Sequence, residues 1–286
     1  MPKFGQRLSG ISIEHMVILL MWCVFSLVAG LFFWILWEIF SNGLSQVSWT
    51  FLTESPRSGG REGGIASVLV ATAMIVGICM LVALPIGVGT AVWLVEFTPA
   101  NSSFSRIVRM SLDVLAAMPS IVFGLFGNAF FSITLGLGFS ILSGGLTLTC
   151  MVLPFLIRTC VEALYAVPSS YRLGAAALGL SRTSTLWNLL LPTAMSGIVT
   201  GFLLGMGRAL AETAALLFTS GYVDRMPESI FDSGRTISIH IYDLSMNVPG
   251  GEPPAYGSAV VLIILLLVIN FTILGITRYW QHRRLT

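Results

Sequence analysis

Residues 162–192 read EALYAVPSSYRLGAAALGLSRTSTLWNLLLP and form a polar interruption between two apolar stretches. Arg172–Leu178 is a run of helix formers, and Gly179 follows where a left-handed C-cap would end a helix. Ser181 can cap a second short helix, which we predict to run to Pro192. The stretch therefore predicts two short helices joined by a tight turn, small and apolar on one side. We call residues 162–192 the knuckle. The pattern fits a segment that docks into a cleft on another protein, and it fits an ordinary amphipathic surface helix equally well.

The composition is that of an integral membrane protein. Of the 286 residues, 55% are hydrophobic and 10% are charged, with a mean hydropathy of +0.88, whereas a soluble domain averages about 25% charged residues. The net charge of +2 says little about partners, and we expect no nucleic acid among them. The 4 cysteines and 3 histidines show no metal-ligand spacing, so we expect no metal site.

The apolar stretches are long enough to cross a bilayer, which requires about 20 residues each. We predict six spans: Met16–Ile39, Ile65–Val95, Ile107–Phe131, Ile141–Val161, Thr193–Thr219 and Ala255–Ile276. The first is too long for a signal-peptide core and lacks a cleavage site, so we expect it to be retained. Prolines inside three spans (Pro85, Pro119 and Pro154) predict kinks. The predicted fold is an all-α polytopic membrane protein with one transmembrane domain over residues 1–286, of which 1–64 hold the first span and an outer loop and 65–280 the core.

The basic residues predict the orientation of the spans. With an inside N-terminus, ten Lys and Arg residues fall in inner segments (Lys3, Arg7, Arg106, Arg109, Arg158, Arg172, Arg182, Arg278, Arg283 and Arg284). Four fall in outer segments (Arg57, Arg61, Arg225 and Arg235). This asymmetry predicts that both termini and the knuckle are cytoplasmic.

Two outer loops complete the predicted topology. Residues 41–64 are rich in Ser and Gly, and we expect an irregular loop. Residues 220–254 are mixed in charge, and Ile237–Tyr242 alternates apolar and polar residues, which fits a short strand or a surface helix. This second loop can receive a soluble partner or be a solvated loop.

The fifth span carries the features that most resemble a transport site. Gly197, Gly201, Gly205 and Ala209 recur every four residues, a small-residue stripe that allows close helix packing. Arg208 and Glu212 follow beside that stripe, four residues apart, and we expect them on one helix.

A charge near the bilayer centre costs at least about 2.5–3.5 kcal/mol, and an i,i+4 pair recovers only about 0.2–0.5 kcal/mol. Arg208 and Glu212 should therefore face the protein interior or an aqueous path. A guanidinium matches the geometry of an oxyanion. Arg208 is therefore a candidate binding site for an anion along the transport path, and Glu212 is a candidate to neutralise the charge of Arg208. The alternative is a fixed ion pair that only assembles the helices. We expect Asp113 at the membrane interface near Arg109.

The knuckle resembles the cytoplasmic EAA loop of ABC-importer permeases, whose pattern is Glu-Ala-Ala, three residues, Gly, nine residues, Ile, any residue, Leu-Pro. Gly179, Leu189 and Leu191–Pro192 match that pattern, whereas Leu173-Gly174-Ala175 departs from its first two residues. The resemblance implies that the loop docks on an ATPase subunit. The implied docking residues are Arg172, Leu173, Gly174, Ala175, Gly179, Leu191 and Pro192.

Further stretches are similar to the permeases of the phosphate-specific ABC importer, PstA type. They are Gly63–Ile65, Leu84–Gly87, Pro119–Gly127, Leu153–Pro154 and Gly207–Ala214. The resemblance covers the chain from about Gly63 to the last span. In that family the fifth helix commonly reads Gly-Glu-Thr-Ala-Pro, whereas this chain has Ala-Glu-Thr-Ala-Ala at Ala211–Ala215.

The resemblance implies a type I ABC importer permease in a bacterial or archaeal plasma (inner) membrane, which passes inorganic phosphate from an extracytoplasmic binding protein to the cytoplasm. Its implied partners are a second permease, two copies of an ATP-binding subunit and the phosphate-binding protein. ATP and Mg²⁺ would be used by the ATPase subunit, and this chain would hold no cofactor. The alternatives are an importer of another oxyanion (sulfate, molybdate or phosphonate), an ion-coupled carrier, and a structural scaffold that leaves Arg208 and Glu212 unexplained.

The sequence lacks the motifs of an enzyme. Its one lysine is Lys3, so there is no Gly-x4-Gly-Lys-Ser/Thr loop in which a lysine reaches nucleotide phosphates. There is also no Gly-x-Ser-x-Gly elbow and no His-Glu-x-x-His motif. We therefore predict that the chain is not an enzyme and that ATP hydrolysis takes place in another subunit.

Overall fold

The structure is a computed structural model that describes residues 7–99 and 102–285. Lys3 and the side chains of Arg7, Arg283 and Arg284, which entered the charge count, lie outside the described part. The helices are α1 (Arg7–Gly43), α2 (Trp49–Thr53), α3 (Ala66–Val92), α4 (Ser103–Ala116), α5 (Ser120–Gly127), α6 (Ile141–Tyr165), α7 (Ser169–Ala177), α8 (Arg182–Thr185), α9 (Leu191–Ala211), α10 (Ala214–Leu217), α11 (Ile237–Met246) and α12 (Glu252–Leu285). The strands β1 (Pro56–Arg57) and β2 (Glu62–Gly63) pair antiparallel.

The prediction of about six spans in an all-α membrane protein is confirmed. In the described part, five helical stretches are long and apolar enough to cross a bilayer: Glu14–Gly43, Ala66–Phe97, Ile141–Tyr165, Arg182–Ala211 and Glu252–Tyr279. A bent pair of helices, Ser103–Ala117 with Ser120–Thr134, makes a sixth crossing if it is counted as one span. The protein is therefore a multi-pass membrane protein.

The third predicted span, Ile107–Phe131, is broken at Pro119, where the sequence predicted a kink, and the bend is much sharper than a kink. It consists of α4 and α5, and the two runs are inclined by 101°. Pro119 causes the break because it lacks an N–H and disfavours helical backbone at the preceding Met118. Pro119 itself is extended (φ −60°, ψ 142°) and leads directly into α5.

Helix α6 forms the centre of the bundle. Its residues are buried on nearly every side, from Ile141 to Leu164. Glycines let neighbouring helices approach it closely: a Cβ at Gly87 of α3 would lie 3.0 Å from Leu156, and one at Gly127 of α5 would overlap Thr147. This close packing holds α3, α5 and α9 around α6.

Two ends of the bundle follow from the order of the helices. The first, which we call the knuckle end, holds the end of α3, the beginning of α4, the end of α6 and the beginning of α9. The other end, which we call the far end, holds the β1–β2 hairpin, the beginning of α6 and helices α10 and α11. Functional residues lie at both ends.

The prediction that the second knuckle helix stops at Pro192 is wrong. The chain passes from α8 through a π-helical turn (Leu186–Leu190) into α9 without a stop. Pro192 occupies the first turn of α9, where its missing N–H costs little. The hydroxyl of Thr193 donates to the Leu189 carbonyl over 2.6 Å, which stabilises this turn. Arg182–Ala211 is thereby one helical stretch.

The loops at the far end are more ordered than predicted. Residues 41–64 contain α2 and the β1–β2 hairpin rather than an irregular loop. Ile237–Tyr242 belongs to α11, and Ile237–His240 are buried, so neither a strand nor a surface helix describes it. Tertiary contacts with α3 and α12 decided these structures, and local composition does not report such contacts.

Helix α1 lies largely apart from the bundle. It approaches α12 at Gly43, where a Cβ would lie 2.5 Å from the Tyr256 carbonyl oxygen. Its aromatic side chains are exposed, with Trp22 at 64% and Trp37 at 73% of their possible surface. The structure thus leaves one side of the first span open to a lipid or protein neighbour.

Candidate functional site

The fifth span breaks at the residues that the sequence singled out. Helix α9 ends at Ala211, and Glu212 is extended (φ −74°, ψ 130°). The Glu212 Oε1 atom accepts a hydrogen bond from the Ala215 N–H over 3.2 Å and so caps the short helix α10. The expectation that Arg208 and Glu212 lie on one helix is therefore wrong, and the described residues show no hydrogen bond or ion pair between them.

Arg208 occupies the last turn of α9 and is exposed. Among the described residues it has no hydrogen-bond or ion-pair partner. Its charge lies at a helix C-terminus, where the helix dipole favours a cation. The exposed face of α9 that leads to it carries several hydroxyl groups: Thr193, Ser196 and Thr200, followed by Leu204. This polar face ending in an arginine is the candidate substrate surface.

The glycine stripe lies on another face of α9 and packs against α6. A Cβ at Gly197 would lie 2.5 Å from Ala163, one at Gly201 would lie 2.9 Å from Thr159, and one at Gly205 would lie 3.0 Å from Val152. Ala209 continues the stripe and is buried. The stripe thus fixes the rotation of α9, and this rotation presents Arg208 away from α6.

Helix α11 supports the break from the far end. The Ser238 hydroxyl donates to the main-chain carbonyl of Glu212 over 2.6 Å. The Ile237 N–H donates to the Thr72 hydroxyl of α3 over 2.9 Å. Ser238 therefore holds the non-helical segment, and Thr72 holds α11 in place. Sequence reasoning did not identify Ser238 because no local pattern connects it to Glu212.

A buried polar cluster surrounds Arg235 beside α11. The Arg235 side chain is 8% exposed; its Nη1 atom lies 3.1 Å from Asp243 Oδ2, and its Nη2 atom lies 4.0 Å from Asp224 Oδ2. Its Nε–H donates to the Tyr222 carbonyl over 3.0 Å. The cluster joins the segment before α11 to α11 itself. The mixed charge of residues 220–254 was the only signal of it in the sequence.

His240 belongs to the same cluster. Its Nδ1 atom lies 3.3 Å from Nη1 of Arg235 and, in the neutral ring, accepts a hydrogen bond from it. Burial, with the Arg235 charge as a second cause, lowers the pKa of His240 to about 4. The Nε2 atom is buried and has no hydrogen-bond partner among the described residues. A neutral His240 therefore completes the cluster.

The knuckle has the predicted turn. Gly179 has φ +70°, its N–H donates to the Ala176 carbonyl over 3.1 Å, and the Leu180 N–H donates to the Ala175 carbonyl over 3.0 Å. This pair of hydrogen bonds is the Schellman motif, which needs a left-handed residue. The Ser181 hydroxyl accepts from the Ser184 N–H over 3.2 Å and caps α8.

The implied docking residues do not share one surface. Leu173, Gly174 and Gly179 are exposed, whereas Ala175 is buried and Leu191 and Pro192 are half-buried at the start of α9. Arg172 turns its guanidinium inward to Glu96, with 2.6 Å between Nη2 and Oε1. The exposed knuckle surface is instead extended by Leu178 and Trp187, which are 79% and 66% exposed.

Asp113 lies near Arg109, as expected, since both side chains line one cavity at the knuckle end, but its ion-pair partner is Arg158. Its Oδ1 atom lies 3.2 Å from Nη1 of Arg158 on α6. Arg109 instead donates to the Tyr165 hydroxyl over 2.8 Å. These contacts join α4 to α6 around a cavity of about 260 Å³ at the knuckle end.

The described residues contain no group of three or more His, Cys, Asp or Glu side chains that could hold a metal ion. The described residues form a helical bundle with a broken span, an exposed arginine at the break and a helix–turn–helix at one end. These features are those of a multi-pass helical membrane protein. Residues 83–286 match the family described as the binding-protein-dependent transport system inner membrane component, and the chain belongs to this family.

Named relatives of the chain are permeases. A probable ABC transporter permease protein of Bacillus subtilis, YqgI, is 35% identical over 266 residues and covers 86% of this chain and 90% of its own length. The phosphate transport system permease protein PstA of Haemophilus influenzae is 30% identical over 263 residues, 91% of each chain. PstA 2 of Mycobacterium tuberculosis is 32% identical and covers 92% of this chain and 86% of its own length.

Solved structures share the fold. A chain of a bacterial alginate ABC transporter has a TM-score of 0.67 at 12% identity, covering 90% of this chain and 94% of that one. A chain of the inward-facing MetNI methionine ABC transporter has a TM-score of 0.58 at 20% identity, covering 76% and 94%. The fold is that of a type I ABC importer permease, as the sequence predicted.

Proposed function

We propose that this chain is the membrane-spanning subunit of an ATP-driven importer that moves inorganic phosphate into the cytoplasm. The observation that carries the proposal is the exposed Arg208 at the break after α9, on a face lined with hydroxyls. Full-length similarity to phosphate transport permeases from several bacteria supports phosphate as the substrate.

The position of Arg208 favours an aqueous path over contact with lipid. An unpaired charge in a span costs at least about 2.5–3.5 kcal/mol on insertion scales, and among the described residues no carboxylate pairs with Arg208. A guanidinium donates paired hydrogen bonds to a tetrahedral oxyanion. The alternative of a fixed Arg208–Glu212 pair finds no support, because Glu212 caps α10 instead.

The proposed assembly contains two permeases, two ATP-binding subunits and an extracytoplasmic binding protein. The exposed apolar knuckle residues would dock on an ATP-binding subunit, and the far-end loop would receive the binding protein. The knuckle end would then be cytoplasmic, with both termini inside, in agreement with the Lys and Arg count. ATP and Mg²⁺ would act in the ATP-binding subunits, and this chain would carry neither a cofactor nor a catalytic residue.

The test is uptake of labelled phosphate, with ATP hydrolysis, in vesicles that hold this chain and its co-expressed partners. Arg208→Gln should reduce uptake by at least about tenfold, since charge-assisted hydrogen bonds contribute about 1.5–3 kcal/mol. Arg106→Gln is the control. Arg106 is exposed on α4, so this substitution removes the same charge at a position away from α9.

Two results would contradict the proposal. Equal phosphate uptake by the wild type and Arg208→Gln would make Arg208 a structural residue. No phosphate uptake by the wild type, with sulfate, molybdate or phosphonate taken up instead, would assign the chain to another oxyanion, which a single arginine does not distinguish from phosphate.

A further inference from the structure

One ion pair joins the knuckle to the end of α3. Helix α3 ends in a π-helical turn (Trp93–Phe97) that carries Glu96. Arg172 of α7 meets this carboxylate with two nitrogens, Nη2 at 2.6 Å and Nε at 3.1 Å from Oε1. The two side chains are 30% and 17% exposed, so solvent screens them only partly.

Arg172 also binds the end of α6. Its Nη1 atom donates to the Val167 carbonyl over 3.2 Å, and its Nη2 atom donates to the Leu164 carbonyl over 3.1 Å. Carbonyls at a helix C-terminus lack partners within the helix and attract cations. One guanidinium thus links α7, the end of α6 and the end of α3.

The remainder of α7 makes little contact with the bundle. Of its nine residues, only Ala175 is buried. A cavity of about 310 Å³ lies beside the ion pair and is lined by Ala176, Leu180, Arg182 and Thr185 in addition to the pair itself. Because a cavity borders this contact on one side and α7 packs little elsewhere, a displacement of α7 reaches α3 chiefly through Arg172 and Glu96.

We propose that the Arg172–Glu96 ion pair is a positioning joint that transmits movement of the knuckle to α3. This inference rests on the proposed function, in which an ATP-binding subunit moves the knuckle. Arg172 acts through Glu96 and touches neither the anion nor the nucleotide. Without the joint, the knuckle still docks and hydrolysis continues, but α3 no longer follows the knuckle.

The test measures ATP hydrolysed per phosphate taken up by the complete complex in vesicles. Glu96→Gln and Arg172→Gln should each raise this ratio by at least about fivefold, the lower end of the usual range for coupled sites. The double variant should be no worse than either single variant, because both remove one interaction. Arg172→Lys keeps a cation that reaches Glu96 and the helix carbonyls, so it should retain more of the coupling than Arg172→Gln.

The matched control is Glu54→Gln, which removes the carboxylate of an exposed ion pair with Arg57 at the far end. Its ratio should equal that of the wild type. If Glu96→Gln does not assemble, Glu96→Asp replaces it, since Asp keeps the charge and shortens the reach by one methylene.

Three outcomes would overturn the proposal. An assembled complex with a wild-type ratio in both single variants would show that the pair transmits nothing. Loss of assembly in Glu96→Asp as well would assign the pair to folding. Absence of phosphate uptake by the wild type would overturn the proposed function together with this inference. Wild-type uptake is normal in the first outcome, so the two outcomes can be distinguished.

Discussion

Ser238 donates a hydrogen bond to the main-chain carbonyl of Glu212 over 2.6 Å, and this contact holds α11 against the break at the end of α9. The Glu212 carbonyl lies where the helix has already ended, so it has no helical partner. Ser238 therefore stabilises the conformation that places Arg208 at the end of a helix. Local sequence patterns did not show this contact, because 26 positions separate the two residues.

Ser238→Ala should weaken the broken span. It leaves the Glu212 carbonyl without its donor, and an unsatisfied buried acceptor costs about 1–3 kcal/mol. We expect a lower thermal midpoint of the purified chain and reduced phosphate uptake at equal protein level. Ser245→Ala, on the exposed side of α11, should match the wild type, and equal behaviour of the two variants would contradict a role for the Ser238 contact.

Gly179→Pro should disrupt the knuckle and uncouple hydrolysis from uptake while the spans still insert. Proline fixes φ near −65°, whereas Gly179 has φ +70° and its N–H donates to Ala176. The measurement is uptake and ATP hydrolysis in vesicles. Gly77→Ala, within α3 and with nothing within 4 Å of the added Cβ, is the control and should transport normally. Normal uptake by Gly179→Pro would refute the coupling role of the knuckle.

Gly201→Ala should destabilise the packing of α9 on α6. The added Cβ would lie 2.9 Å from both Cβ and Cγ2 of Thr159, and overpacking of this kind costs about 1–3 kcal/mol. Thermal unfolding in detergent measures the loss. The same substitution at Gly207, whose added Cβ would lie 3.9 Å from Leu266, should have little effect, and a similar midpoint for both variants would count against the close contact.

Acid should destabilise the far end of the bundle through His240. Its pKa is lowered from 6.5 to about 4 in the folded protein, so between these values the unfolded chain binds more protons than the folded one. The free energy of unfolding should therefore fall as the pH drops below 6.5, by up to about 1.4 kcal/mol per pH unit. His240→Gln does not titrate and should lose this dependence. An identical pH profile in wild type and variant would exclude His240 as its source.

Features of the fold that depend on local chemistry were predictable from the sequence. The length of the apolar stretches indicated the spans, Gly179 indicated the turn of the knuckle, and the stripe at Gly197, Gly201 and Gly205 indicated a packing face. Each of these signals requires only residues that are close in sequence. The predicted end of the second knuckle helix at Pro192 was wrong, because a π-helical turn accommodates this proline.

The site was less predictable, since it depends on contacts between distant segments. The spacing of Arg208 and Glu212 indicated one helical face, but hydrogen bonds from α10 and α11 hold Glu212 in an extended conformation. The pairs Arg172–Glu96 and Arg158–Asp113 join residues 76 and 45 positions apart, respectively. A single sequence shows that these residues are charged and does not show which of them meet.

The uninterrupted helical stretch Arg182–Ala211 has a mechanical consequence. At about 1.5 Å per residue, its 30 residues form a lever about 45 Å long. One arm begins in the knuckle and the other carries Arg208, with the glycine contacts to α6 as the fulcrum between them. A tilt of about 5° would displace one end relative to the other by about 4 Å. Because Arg208 lies only about 10 Å along the helix from Gly201, the same tilt about Gly201 would move the Arg208 turn by about 1 Å and the knuckle end by about 2.5 Å.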